Sequence, residues 1–277
     1  MRVSVNPATT MPYTMAQEVP AYAAVGIRHM ELWLDKVDAH VSEHGLDSVH
    51  ALLTDHGIAP VAACAAGGVM LHDVRSRTDA LEDFRRRLEF CRTLVCPILV
   101  TVPDFPDQAE QGMYATAERN LRVAGEVAAD HGVRLAVEFL QGNRLVATLA
   151  TAKQLVRGAG HPSVGILLDL SHFWLDRSHV EDIDDLTPDE LLLVHLDDMA
   201  PGWPELLTDY DRVFPGQGRG IERALVPRIQ ATGYDGFWSV EIFNRSVWEQ
   251  PVDWIARETA TAIAFVENRY GDRRTSA

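Results

Sequence analysis

Several patterns are scarce or missing in this chain, and each absence closes off a class of function. Cysteine is rare: Cys64, Cys91 and Cys96 are the only three, an odd number without the paired spacing of a zinc site or a disulfide framework. They read as buried, reduced thiols of a cytoplasmic protein. No apolar run approaches the roughly 18 residues of a membrane-spanning helix. Met1-Arg2-Val3 passes directly into a strand, so neither a membrane span nor a signal peptide is expected. Positive charge is also short. Lys and Arg number 25 against 40 Asp and Glu, a formal charge of −15, which argues against nucleic acid because backbone binding depends on clustered basic residues. The one basic run, Arg85-Arg86-Arg87, falls in an expected amphipathic helix and reads as a solvated face. There is no P-loop, Ser-His-Asp order or C-x-x-C pair, so nucleotide hydrolysis, serine chemistry and thiol redox have no support.

What the chain does have is a steady alternation of short apolar runs and amphipathic stretches. It has 277 residues of ordinary globular composition, 47% hydrophobic and 23% charged. Strands are expected at 2–5, 29–34, 60–64, 97–102, 134–139, 164–169, 191–196 and 237–242. Between them, residues 78–93 carry a helical stripe of Leu81, Phe84, Leu88 and Cys91. Residues 115–131 read as a strong helix that Gly132 stops. Further helical segments are expected near 14–25, 46–56, 148–158, 179–186, 221–232 and 252–268. Strands alternating with helices imply parallel pairing through helical crossovers. Eight such units close naturally into a single (β/α)₈ TIM barrel, one α/β domain over residues 1–277. An open doubly wound sheet is the alternative, but no G-x-G-x-x-G follows the first strand.

The most informative stretch is Val164-Gly165-Ile166-Leu167-Leu168-Asp169-Leu170-Ser171-His172-Phe173. A buried parallel strand reads as a near-continuous apolar run. An acid at its last position therefore lies at the carboxyl end, where α/β folds put their chemistry. Three other runs end the same way, at Glu138, His195 and Glu241. In a barrel these four ends belong to consecutive strands and meet around the axis. One such residue alone is more often a hydrogen-bonded loop anchor; four at successive ends point to a metal. Glu138, Asp169, His195 and Glu241 are thus the expected ligands of one divalent ion. Three carboxylates and an imidazole favour a fairly hard cation, Mn²⁺ first, with Mg²⁺, Co²⁺ and Zn²⁺ as alternatives.

Residues near these ends are candidates for the remaining work. His172, in an expected loop, is placed to bond a substrate oxygen or shuttle a proton, or else to tie down the loop. Glu31 and Trp33 share one face of the second strand, which looks either into the barrel mouth or out towards a helix. His72 and Asp73 follow Gly67-Gly68 in the loop after the third strand, a lid over the site. Asp197 reads as a partner of the ligands rather than a fifth ligand. In the glycine-rich loop 209–220, Arg212 offers a planar fork for a carboxylate, a phosphate or vicinal hydroxyls. The competing reading pairs it with Asp209 or Asp211 on the surface.

The runs V-E138-F, L-D169-L-S-H172-F, V-H195-L-D-D and S-V-E241-I-F-N together resemble the xylose isomerase-like TIM-barrel family of sugar isomerases and epimerases. The segment D-R212-V-F-P-G-Q-G, with G-Y-D-G-F-W-S-V-E, is similar to sugar phosphate isomerases/epimerases and also to 3-dehydroshikimate dehydratases. The resemblance covers nearly the whole chain. It implies a metal held by Glu138, Asp169, His195 and Glu241, with the two glutamates doubling as the acid/base pair and His172 binding substrate. Those epimerases carry an arginine just after the histidine ligand. Here Asp197-Asp198-Met199-Ala200-Pro201 has none, and Arg212 matches the subgroup's arginine instead.

The expected function is a divalent-metal-dependent isomerase or epimerase of a small polyhydroxy carbonyl compound: a sugar, a sugar phosphate or an oxo-cyclitol. Proton transfer would run through an enediolate, with His172, Arg212, Glu31 and His72 towards the substrate. A lyase of the 3-dehydroshikimate dehydratase type, using the same enolate chemistry, is the alternative. A catalytically silent barrel is the third reading. The expected partner is a small molecule, with neither nucleic acid nor membrane, and homo-oligomer formation follows only by analogy with relatives.

Overall fold

The computed structural model describes residues 1–72, 75, 78–175 and 178–271. The first half of the chain contributes β1 (Arg2–Val5), α1 (Met15–Ala24), β2 (His29–Trp33), α2 (Leu34–His44), α3 (Leu46–Asp55), β3 (Ala59–Ala66), α4 (Thr78–Thr93) and β4 (Ile98–Thr101). It continues with α5 (Gln111–Ala129), β5 (Arg134–Glu138), α6 (Leu149–Ala159), β6 (Val164–Asp169), α7 (Leu170–Leu175) and β7 (Leu191–Leu196). The last part holds β8 (Asp198–Met199), β9 (Arg212–Val213), α8 (Glu222–Ala231), β10 (Phe237–Val240), α9 (Arg245–Trp248) and α10 (Val252–Tyr270).

Eight strands close into a parallel barrel in the order β1-β10-β7-β6-β5-β4-β3-β2. Closure removes sheet edges, so each strand is paired on both sides. β6 and β7 are buried at every residue, which is why their sequences are almost continuously apolar. Alternation sorts their side chains into two sets. Ala62, Cys64, Val100, Ala136, Leu167 and Leu193 belong to a core cluster separate from the main one. Two residues further along the same strand faces come Glu138, Asp169 and His195. A layer of small and aliphatic side chains therefore plugs the barrel beneath the polar mouth.

The helices seal the outer faces of the strands. α6 is representative: Thr148 caps it through the Thr151 amide, and Gly160, in the left-handed region at φ 58°, ends it. Its buried stripe of Leu149, Ala152, Leu155, Val156 and Ala159 follows helical spacing. Each fully buried leucine or valine there contributes roughly 1.5–3 kcal/mol.

Several local expectations change. α2 was not expected, because only Leu34 and Val37 along it are buried and so sparse a stripe reads as loop. His172 lies on α7, which starts directly after β6, rather than in a loop. The long polar segment after β7 contains an antiparallel pair, β8 with β9, matching Met199 to Arg212. The three cysteines are free and buried. Among the described residues no helix is long and apolar enough to cross a membrane. Asp73, half of the expected lid, lies outside the described residues.

Candidate metal centre

β5, β6, β7 and β10 are successive neighbours in the barrel, and each delivers one side chain to its carboxyl-terminal mouth. Glu138 and Asp169 close their strands, His195 is next to last on β7, and Glu241 directly follows β10. Cross-strand register sets Asp169 opposite His195, and His195 opposite Ser239, two residues before Glu241. One potential ligand atom from each of the four lies within 4.8 Å of the others, and all four residues are buried. The spacing that the sequence implies is therefore realised as one cluster.

The chemistry of this cluster suits a cation. His195 Nδ1 sits 3.0 Å from Glu241 Oε2, 3.3 Å from Glu138 Oε1 and 3.4 Å from Asp169 Oδ2. Yet it has no hydrogen-bond partner among the described residues. A buried polar atom left in that state is costly unless an ion takes its lone pair. Glu31 and Asp197 add two more fully buried carboxylates, while Arg212 is, among the described residues, the one buried guanidinium set against the cluster. The donor set, three carboxylate groups and an imidazole, suits a divalent metal. The residues fit the ion that the sequence implies.

Arg212 is enclosed completely. Its Nη1 donates to Asp169 Oδ2 at 2.6 Å, Asp197 Oδ2 at 2.7 Å and Glu241 Oε2 at 2.8 Å. Nε and Nη2 both donate to Asp209 Oδ1, at 2.9 and 2.6 Å. The guanidinium lies over the Phe243 ring, 5.3 Å from its centroid, and Asn244 Nδ2 donates to the Arg212 carbonyl. The surface reading of Arg212 is thus replaced. Asp209 is a partner, but the other polar contacts are to Asp169, Glu241, Asp197 and His172. Asp197 shares Arg212 Nη1 with Asp169 and Glu241 and is not a member of the four-residue cluster.

These contacts set the charge states of the metal-free chain. Burial alone would raise the Asp169 carboxyl, but Arg212, with His172 and His195, holds it well below the usual carboxylate range. Burial, reinforced by Asp169, pushes Asp197 well above that range despite Arg212. Burial opposes charge on His195, but Glu241 and Glu31 together lift it well above the ordinary imidazole value. Burial pushes Glu241 up to about 7, against the pull of His195 and Arg212.

The remaining candidates fall into different places. His172 is buried against the site: its backbone N–H donates to Asp169 Oδ1 at 2.7 Å, and its Nε2 lies 3.2 Å from Arg212 Nη2. Glu31, expected to touch substrate, is wholly buried and faces His195 Nε2 at 3.2 Å. His72 is exposed, and none of the described site contacts involves it. Asp198 was not singled out as a site residue, and it organises the glycine-rich loop. Its carboxylate accepts the backbone N–H groups of Met199, Gly218, Gly220 and Ile221. Gly218 permits this approach, since a Cβ there would collide with the Met199 carbonyl. Phe243, beneath Arg212, was also missed. Its position two residues after Glu241 was the available signal.

The Arg212 contacts make a prediction. Removing one side of a buried ionic network leaves charges unpaired and destabilises by about 3–5 kcal/mol. Arg212→Ala should therefore lower the melting temperature of the metal-free protein sharply, and added divalent metal should raise it more than in the wild type. Arg212→Lys should fall between, having the charge without the fork. Equal melting temperatures for all three proteins, with and without metal, would remove Arg212 from the network.

A closed parallel barrel with three acids and a histidine converging on one mouth defines a metal-dependent TIM-barrel enzyme. The chain belongs to the xylose isomerase-like TIM barrel family, whose model matches residues 19–265. It is 28% identical over 275 residues to the inosose isomerase of Bacillus licheniformis, covering 98% of this chain and 99% of that one. It is 32% identical over 152 residues to the 3-dehydroshikimate dehydratase of Pseudomonas putida, covering 54% of this chain and only 24% of that one. Among solved structures, the IOLI protein with a bound zinc atom superposes with a TM-score of 0.90 at 24% identity, covering 98% of this chain and 99% of the other.

Proposed function

We propose that this chain is a divalent-metal-dependent isomerase of a small, uncharged polyhydroxy ketone of the inosose class. One observation carries the reading. Within the buried centre, Glu138, Glu241 and His172 retain 6, 4 and 6% exposure, whereas Asp169, Glu31 and Arg212 have none. The groups with the most residual exposure are thus the two glutamates and the histidine that an acid/base isomerisation requires. One glutamate takes a proton from the carbon beside the carbonyl, the other returns one to the neighbouring carbon, and His172 holds a substrate oxygen. Such positioned acid–base groups supply typically about 10²–10⁴-fold. When bound, the metal supplies Lewis acidity towards the carbonyl and its neighbouring hydroxyl. The hard donor set favours Mn²⁺, with Mg²⁺, Co²⁺ and Zn²⁺ as alternatives.

Two observations favour an uncharged substrate. TIM barrels often bind phosphate at the loops after the last strands and a helix start. Here the corresponding N–H groups of Gly218, Gly220 and Ile221 are already engaged by Asp198. Arg212 is likewise committed to the chain's own acids. The full-length match to inosose isomerases agrees with this choice. The dehydratase similarity keeps a lyase as the second reading, since both reactions begin by removing the same kind of proton.

Metal-loaded protein should be incubated in D₂O with a panel of oxo-inositols and followed by NMR. A positional isomer carrying deuterium beside its carbonyl supports the proposal. Inertness towards every oxo-cyclitol, with new ultraviolet absorbance from 3-dehydroshikimate, would replace it with the lyase.

A further inference from the structure

His195 has two ring nitrogens, and the barrel gives them opposite surroundings. Nδ1 faces Glu138, Asp169 and Glu241. Nε2 faces Glu31 alone, at 3.2 Å from Oε1 and 3.5 Å from Oε2. Glu31 comes from β2, separated from β7 around the barrel by β1 and β10, so its side chain meets the imidazole inside the barrel. It is fully buried, and no hydrogen bond to its carboxylate from another described residue is found. An enclosed carboxylate whose one described partner is that imidazole is expensive, and an apolar residue of similar size would leave no such group to satisfy.

We infer that Glu31 is a positioning residue of the metal centre. Its carboxylate accepts the Nε2–H bond of His195 and so leaves the Nδ1 lone pair facing the other three ligands. The inference rests on the reading of Glu138, Asp169, His195 and Glu241 as one metal site. A neutral imidazole has one donor and one acceptor nitrogen, and the partner of one nitrogen fixes the role of the other. With the proton on Nε2, Nδ1 is free for a cation. With the proton on Nδ1, the ring would present an N–H where the cation belongs. A carboxylate on the outer nitrogen also fixes the ring plane and makes the inner nitrogen a stronger donor. Glu31 thereby acts through His195 and not on substrate.

Zn²⁺ alone is a suitable probe, being diamagnetic. Its affinity is measured by competition with a chelating indicator, and the His195 ring is read by ¹⁵N-edited NMR. Loss of such an outer partner weakens metal binding about 10–100-fold. Glu31→Gln keeps an oxygen that can accept the Nε2 proton and should lie near the lower figure; Glu31→Leu should lie near the upper one. Zinc-loaded wild type should show a protected Nε2 proton shifted downfield by its charged acceptor, and Glu31→Gln should move it upfield. A purely structural role would lower the melting temperature while leaving that ring signal unmoved. A wild type that takes up no zinc overturns the metal site and this inference together. Equal zinc affinity in wild type and both variants, with an unchanged ring signal, overturns the role of Glu31 alone. Should Glu31→Leu fail to fold, Glu31→Gln decides the matter by the same two readouts.

Discussion

Asp169→Ala is expected to abolish stoichiometric metal binding and, with it, catalysis, while the barrel still folds. In the proposed ligand set the carboxylate is one of four donors, so its loss should cost affinity beyond the 100-fold that removal of an outer partner reaches (about 10–100-fold). It also anchors two neighbours: Oδ1 accepts the His172 N–H at 2.7 Å, and Oδ2 accepts Arg212 Nη1 at 2.6 Å. His172, proposed to face the substrate, should therefore loosen as the metal leaves. Folding should survive because Asp169 ends β6, after residues that are buried and pair along β7. Removing one acid also relieves repulsion among carboxylates that share a single guanidinium. In the wild type, metal at about 100 times its dissociation constant adds roughly 2.7 kcal/mol of stability. The variant should lose that gain in a thermal unfolding series read beside metal analysis. Stoichiometric metal at unchanged affinity in Asp169→Ala would sink the ligand set.

Glu241→Gln should separate chemistry from binding. The amide keeps an oxygen for the metal and for Arg212 Nη1, which donates to Glu241 Oε2 at 2.8 Å. It cannot take up a proton at neutral pH. Turnover should fall by about 10²–10⁴-fold, the usual worth of a positioned acid or base. Substrate affinity should fall far less. The wild type turning over in D₂O should place deuterium on the carbon beside the carbonyl, because a base open to solvent exchanges the proton before returning it. The variant should suppress that exchange in step with turnover. Complete retention of substrate hydrogen by the wild type over many turnovers would exclude this proton path.

Much of this centre was legible because strand ends are where sequence and geometry are most tightly coupled. An apolar run that stops at an acid fixes both the strand's end and the face it presents. Glu138, Asp169 and His195 thus met as the alternation required. Loops were harder. Arg212 could be assigned to the surface or to the substrate from sequence, but not to the interior of an acidic cluster. That placement depends on the β8–β9 pairing, two residues on each side and too short to leave a pattern. Asp198 was opaque for a similar reason: its partners are backbone N–H groups, which every residue but proline carries. The closeness of Glu31 to His195 was not legible although its inward face was considered, because Nε2 of His195 lies across the barrel and no local spacing encodes it. α2 escaped because its buried stripe is too thin to stand out from a polar loop.

The four residues of the candidate metal cluster all come from one arc of the barrel, β5, β6, β7 and β10, and among the described residues β1 to β4 supply none of them. The molecule is in effect divided between a half that holds the cluster and a half that does not. Among the described residues, the loops that follow the first four strands carry no member of it. New substrates can be explored there while the reaction itself is kept. Glu31 is the exception, a tether from the free half to the fixed one through His195. Among the described residues, that strand is where the first half reaches the proposed metal cluster.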